Sequence, residues 1–101
     1  MNPSMIKKLQ KMQRDMLQAQ KELEGSIFYG SAGGKMVEVE FTGNKKMKNI
    51  KIDPEAVESA EDIEMLQDTI VAAVNDCMRK IDSETESTMS QFTGGGIPGL
   101  F

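Results

Sequence analysis

The chain begins with a narrow apolar seam of helical period. Its members are separated alternately by four and three residues: Met5, Leu9, Met12, Met16, Ala19 and Leu23. This heptad spacing predicts an amphipathic helix over residues 4–24, capped by Ser4 and ending before Gly25. Most other positions of the stretch are charged or polar, so most of the helix surface faces water. Such a helix extends about 30 Å, so we expect an arm that projects or pairs with a partner arm.

A strand pattern follows, in which apolar and polar residues alternate. The predicted strands are residues 26–29, 35–42 and 46–52. Val37, Val39 and Phe41 point to one face of the second strand, which is therefore half-buried. In the third strand, the alternation places Met47 on the face opposite Ile50. Gly43-Asn44 supplies the turn of a hairpin. A sheet of three strands has exposed edges, and pairing with a second copy would close them.

The rest of the chain predicts a short helical turn and a long second helix. Pro54 opens the turn, residues 54–60, and Ser59 with Asp62 fits a capping box. Apolar residues then recur at helical spacing until about Phe92: Ile63, Leu66, Ile70, Val74, Cys77, Ile81 and Met89. Residues 94–101 are rich in Gly and Pro and are expected to form a flexible tail after a single domain, residues 1–93. The order α-β-β-β-α-α predicts an α+β fold with a small antiparallel sheet.

The residue composition adds an expectation of self-association. The chain has no Trp, one Tyr and four Phe, but nine Met. Large aromatic side chains dominate ordinary cores, whereas the flexible Met side chain suits helix contacts and interfaces. We therefore expect a homodimer.

The chemistry of an enzyme or a metal site is absent from the sequence. There is no His, the commonest general base and transition-metal ligand. The single cysteine, Cys77, lies on the apolar side of the second helix and is interpreted as a core residue. No stretch reads as a signal peptide or approaches the roughly 20 apolar residues of a membrane span. We expect a non-enzymatic, cytoplasmic protein with no cofactor, no metal and no membrane association.

Charge is divided unevenly between the two halves of the chain. The formal net charge is −4, but residues 1–51 hold ten Lys and Arg against five acids, a balance of +5. Residues 52–101 hold two against eleven, a balance of −9. Screening limits electrostatic interactions to about 8–10 Å, so a phosphate group responds to the nearest face. A basic face in the first half is therefore compatible with a nucleic-acid partner.

The candidate basic face lies on the first helix, beside the apolar seam. Its members cluster over two turns: Lys7, Lys8, Lys11 and Arg14. A projecting helix with such a row would contact the phosphates of duplex DNA without reading bases. The alternative is a solvated helix flank that uses Lys for solubility.

Several segments together resemble the YbaB/EbfC family of bacterial nucleoid-associated proteins. They are the Met/Gln/Lys-rich helix (5–24), the Gly-rich stretch 30–34, the strand 36–42 with Gly43, "KNIKIDP" (48–54), "DIEMLQDTIVAAVNDCMRKI" (62–81) and the tail "GGGIPGLF". The resemblance implies a tweezer-like homodimer with a central sheet and projecting helices. It also implies nucleoid association, binding of duplex DNA with little sequence preference, a change in DNA conformation and an influence on gene expression.

The resemblance also assigns residues to these roles. DNA contacts fall on helices at both ends of the chain, here Lys7, Lys8, Lys11, Arg14, Lys21, Arg79 and Lys80. The apolar patterns of the first helix and the second strand, and not the resemblance, supply the expected dimer or helix seam: Met5, Leu9, Met12, Met16, Leu23, Val37, Val39 and Phe41. The alternative function is a non-enzymatic scaffold for unidentified protein partners in recombination or replication.

Overall fold

The computed structural model describes residues 2–92 and confirms the α+β class. Its elements are α1 (Pro3–Gly25), β1 (Ile27–Ala32), β2 (Val37–Thr42), β3 (Met47–Ile52) and α2 (Ile63–Ser90). Two 3₁₀ turns, Pro54–Ala56 and Ala60–Asp62, replace the single helical turn predicted for residues 54–60. They are separate because Val57 between them is extended, with φ −127°. The predicted flexible tail, residues 94–101, lies outside the described residues.

The N-cap of helix α1 lies two residues earlier than the sequence indicated. Asn2 is the N-cap, and its side chain accepts a hydrogen bond from the Met5 N–H at 2.8 Å. Pro3 follows in the first turn, where its fixed φ fits the helix and its missing N–H needs no partner. Ser4 lies inside that turn, so the predicted Ser4 cap is wrong. The predicted capping box is confirmed for the 3₁₀ turn Ala60–Asp62, which leads into α2, because Ser59 and Asp62 each bond the other's backbone N–H.

The sheet is antiparallel, with the strands in the order β1-β2-β3. Strand β1 is longer than predicted, since Gly30, Ser31 and Ala32 pair with β2 instead of forming a loop. The loop is confined to a tight turn whose residues Gly33, Gly34 and Lys35 have φ values of 63–68°. A bulge in β3, with Lys48 as the extra residue, places Met47 opposite Phe41. This corrects the prediction that Met47 lies on the face opposite Ile50, because a bulge shifts the alternation by one residue.

One small core joins α2 to the sheet. Its buried residues are Val37, Val39, Phe41, Ala73, Cys77 and Ile81. The helix comes unusually close to β1: a Cβ at Gly30 would lie 2.4 Å from the Ala73 carbonyl oxygen and 2.6 Å from the Cys77 Cβ. Strand β3 lies outside this contact, and all six of its residues are exposed.

The described chain is strongly elongated. It measures 70 × 26 × 16 Å, with a radius of gyration of 19.6 Å. A compact domain of 100 residues has a radius of gyration of about 13 Å. The elongation comes from the helices, because α1 buries only Leu23 and all of residues 3–15 are exposed. Residues 3–15 are called the arm below, and they project as the sequence predicted.

We predict that Gly30→Ala destabilises the fold, because the added Cβ has no room between β1 and α2. Overpacking of a close contact costs about 1–3 kcal/mol. Urea denaturation followed by far-UV circular dichroism measures the change. Gly25→Ala is the matched control, since nothing lies within 4 Å of a Cβ there. A loss of stability for Gly30→Ala no larger than for the control would contradict this account of the helix–sheet contact.

Candidate nucleic-acid interface

Four of the predicted DNA-binding residues lie along one side of α1. A helix turns by about 100° per residue, so Lys7, Lys11, Arg14 and Lys21 fall within one narrow sector, with Lys8 about a quarter turn away. All five side chains are exposed. The first four residues are called the basic row, and they extend over about 20 Å of helix.

The basic row lies on the side of α1 opposite the apolar seam. The same helical geometry places Met5, Met12 and Met16 about half a turn from the row. This corrects the expectation that the row runs beside the seam, where only Lys8 lies. Helix α1 therefore has one side suited to protein contacts and another suited to anions.

The charges of the basic row are largely available to a ligand. Lys11 pairs with Asp15 at 2.8 Å, but both side chains are more than half exposed, so the pair is weak. Within residues 2–92, Lys7, Arg14 and Lys21 have no carboxylate within 4.0 Å. The first turn carries no acidic residue, so the partial positive charge of the helix N-terminus adds to theirs.

The seam is covered only at the base of α1. Leu23 is buried and Ala19 is half-buried, in a cleft shared with Glu84 and Thr88 of α2. Towards the tip, Met5, Leu9 and Met12 remain 48–53% exposed. Part of the seam therefore closes within the subunit, a point that the sequence left open.

The three strand residues predicted for the seam lie elsewhere. Val37, Val39 and Phe41 are only 0–8% exposed and face α2 in the core of the subunit. They are therefore separated from the exposed strip of the arm, which consists of Met5, Leu9 and Met12.

Arg79 and Lys80 are not brought to the basic row. They belong to α2 beside β1, where the Arg79 guanidinium lies 3.6 Å and the Lys80 ammonium 3.3 Å from the Asp76 carboxylate. Lys80 also donates a hydrogen bond to the Tyr29 carbonyl at 3.1 Å. These contacts give Lys80 a structural role in joining α2 to β1.

Asp76 is the acidic residue that both Arg79 and Lys80 contact. It accepts a hydrogen bond from the Ser31 backbone N–H at 3.1 Å. That bond, followed by the hydrogen bond with Lys80, holds the pKa of the Asp76 carboxyl below its ordinary value. Sequence reasoning missed Asp76; the only available signal was its spacing of four residues from Lys80, which brings the two side chains to one side of a helix.

The neighbouring thiol is a core group, as the sequence indicated. Cys77 is fully buried, and burial raises the pKa of its thiol. A raised pKa disfavours the thiolate, which is the reactive form.

Comparison of the sequence with known proteins identifies its family. A model described as the YbaB/EbfC DNA-binding family matches residues 1–96. The chain belongs to that family. A relative from Acetivibrio thermocellus, named nucleoid-associated protein, is 50% identical over 100 residues, covering 97% of this chain and 88% of its own. A second, from Oceanobacillus iheyensis, also named nucleoid-associated protein, is 48% identical over 99 residues, covering 97% and 94%.

The fold also occurs in a solved structure. A crystal structure of an uncharacterized protein from Helicobacter pylori matches with a TM-score of 0.73 and 23% identity, covering 92% of this chain and 98% of that one. The likeness concerns the fold alone. It supports the arrangement of a small antiparallel sheet with projecting helices.

Residues 2–92 contain no group of three His, Cys, Asp or Glu side chains placed to hold a metal ion. Neither helix in that range combines the length and the apolar character needed to cross a bilayer.

We predict that Asp76→Asn destabilises the fold in a pH-dependent manner. The pKa of Asp76 is lower in the folded chain than in the unfolded one, so the ionised carboxylate stabilises the fold at neutral pH. This contribution is lost as the pH falls below about 4. Thermal melts should therefore show a difference between variant and wild type at pH 7 that shrinks near pH 3. Asp68→Asn, an exposed position on the same helix, is the control. An equal deficit for Asp76→Asn at both pH values would disprove the proposed charge contribution.

Proposed function

We propose that this protein is a cytoplasmic, nucleoid-associated protein that binds duplex DNA as a homodimer. The basic row contacts phosphates with little sequence preference, and the bound dimer alters the conformation of DNA and thereby influences gene expression. One observation carries the proposal: a chain of the YbaB/EbfC DNA-binding family presents a row of exposed cations along α1, the helix that carries the projecting arm. The relatives named nucleoid-associated protein support the proposed location.

The chemistry of the row favours the phosphate backbone over the bases. Lys and Arg side chains release condensed counterions when they neutralise phosphates, and this contribution is independent of sequence. A row of about 20 Å spans about six base pairs. Residues 3–15 include no aromatic side chain, so the arm offers no platform for stacking the bases of a single strand. These features support duplex binding with little sequence preference.

Charge is also separated along the molecule. The two ends of β2 contact different parts of the chain. At one end, Gly43 in the β2–β3 turn lies against Leu23 at the base of α1. At the other end, Gly33 lies against Thr69 near the start of α2. The segment before Thr69 is acidic and contains no Lys or Arg between residues 52 and 68. Phosphates are repelled from that end of the molecule, so DNA contacts concentrate at the arm.

The exposed apolar surface supports a homodimer. The strip Met5, Leu9 and Met12 on the arm and the residues Ile50 and Ile52 on β3 are all more than a third exposed in a single subunit. Burial of such side chains provides about 25 cal/mol per Å² of apolar area. Two copies also present two basic rows, which would permit a dimer to clamp or bend one duplex.

A protein-interaction scaffold is the second candidate, supported by the same apolar strip of the arm. An amphipathic helix with an uncovered apolar side can dock into a groove of another protein. A partner whose capture survives nuclease treatment and the neutralisation of Lys7, Lys8 and Lys11 would favour this function over DNA binding.

We predict that the triple variant Lys7→Gln, Arg14→Gln and Lys21→Gln weakens binding to duplex DNA by at least about tenfold at low salt. A mobility-shift series measures the dissociation constant for two duplexes of unrelated sequence at several salt concentrations. Wild-type affinity should fall linearly with salt on a logarithmic scale. The slope should decrease by about 0.9 for each phosphate contact that the variant loses.

The matched control removes the same charge from the turns of the sheet, by Lys35→Gln, Lys45→Gln and Lys46→Gln. Both triple variants lower the formal charge by three, so a general effect of net charge affects them equally. Equal losses would refute the assignment of DNA contacts to the basic row. Salt-independent binding, or no binding at low salt, would refute the proposed function itself.

A further inference from the structure

The apolar seam of α1 is covered at its base and uncovered along the arm. Leu23 is 8% exposed, and Ala19 and Met16 are half-buried. The next three members, which form the apolar strip of the arm, are 48–53% exposed. Their spacings of four and three residues place them on one side of the helix, over about two turns. Residues 2–92 therefore leave this part of the seam without a cover.

Helix α2 supplies the cover at the base of the seam. Cys77 lies against Gly30 in the middle of β1. Two turns later, Glu84 shares one cleft with Phe28 near the start of β1 and another with Leu23 at the base of α1. Helix α2 therefore runs antiparallel to β1 and continues past it, alongside α1 and towards the arm.

The cover ends where the strip begins. Thr88 of α2 lines the same cleft as Ala19 of α1. Phe92, the last described residue, is four residues farther on, a distance of about 6 Å along a helix. An equal advance from Ala19 along α1 reaches the level of Met16. The chain therefore leaves the described part of the molecule beside the uncovered strip.

The tail, residues 94–101, has the composition of an apolar cover. It carries three large apolar side chains, Ile97, Leu100 and Phe101, and no charged side chain. Its first three residues are glycines, which permit a sharp change of direction after α2. Pro98 cannot continue a helix and favours an extended backbone at the residue before it. The tail is thus suited to lie extended along an apolar surface.

The tail also has the length that the strip requires. Eight extended residues reach about 26 Å. Along α1, Met12 and Met5 lie about 6 Å and 16 Å from the level of Met16. A short flexible linker gives an attached segment an effective concentration of about a millimolar or more. The tail of the same chain therefore has an advantage over a second molecule in reaching the strip.

We propose that the tail docks on the apolar strip of the arm in its own chain. The large side chains of the tail bury apolar area against the strip, and the flexible Met side chains adapt to them. Docking is reversible, so the tail competes with a partner helix or a second copy for this surface. The basic row lies on the opposite side of α1, so the docked tail leaves the proposed DNA contacts free.

Methionine oxidation tests docking on the full wild-type chain. Hydrogen peroxide converts accessible Met side chains to the sulfoxide. Met5 and Met12 of the strip are 53% and 48% exposed, and Met65 of α2 is 50% exposed, so the three should react alike without a cover. A docked tail should slow oxidation of Met5 and Met12 by at least about threefold relative to Met65. Mass spectrometry of peptides measures the three rates.

The variant for this test replaces the apolar side chains of the tail by serine: Ile97→Ser, Leu100→Ser and Phe101→Ser. It should abolish the difference between the three methionines. The matched control places three serines in the linker: Gly94→Ser, Gly95→Ser and Gly96→Ser. The control should keep the protection. Equal rates in the wild type would overturn the proposal, and so would protection that persists in the tail variant, because another surface would then cover the strip.

A spin label separates docking within one chain from docking on a second copy. Gly99→Cys adds an accessible thiol to the tail, whereas Cys77 is buried and has a raised pKa, so it resists labelling. A nitroxide on residue 99 should broaden the methyl signals of Met5 and Met12 in isotope-labelled protein. The broadening should persist when this protein is diluted with chains that carry neither label. Broadening that disappears on this dilution would identify the tail of another copy and refute docking within the chain.

Discussion

The close contact between Gly30 of β1 and α2 is the constraint on which the rest of the structure depends. Because glycine has no Cβ, the helix backbone at Ala73 and Cys77 comes directly against the strand. This proximity brings Asp76 and Lys80 within hydrogen-bond distance of the β1 edge. It also leaves β3 outside the helix–sheet contact.

The division of α1 into two sides connects the fold with the proposed function. If one side of a helix bound both protein and DNA, the two ligands would compete for the same surface. Here the strip Met5, Leu9 and Met12 lies opposite the basic row. The covered base of the helix, at Ala19 and Leu23, holds the arm to the body. Its tip remains accessible, and its cations have few acidic neighbours.

The negative net charge of the protein is compatible with DNA binding because the charges are separated in space. The acidic residues before Thr69 lie at the end of β2 opposite the base of α1. Separation over an elongated molecule exceeds the Debye length of about 8–10 Å, so screening isolates the two ends. The whole-chain charge therefore says little about the electrostatic field at the arm.

The sequence by itself determined the elements and the family. Heptad spacing predicted α1, alternation predicted β2 with Val37, Val39 and Phe41 inward, and the capping box predicted the 3₁₀ turn that leads into α2. These features are local, because each depends on residues within a turn or a strand. The misplacement of Met47 and of the helix cap at Ser4 also had local causes, a bulge and a better capping side chain at Asn2.

Only the tertiary structure decided which surfaces are free. Nothing in the sequence distinguished Lys80, which bonds the edge of β1, from Lys21, which is exposed. Asp76 was one acid among eleven in its half of the chain until packing placed it beside Ser31. The exposure of β3 was likewise undecided, since either outer strand of a three-stranded sheet is a candidate until the position of the covering helix is known. Contacts between residues distant in sequence depend on how the elements pack, which local patterns do not encode.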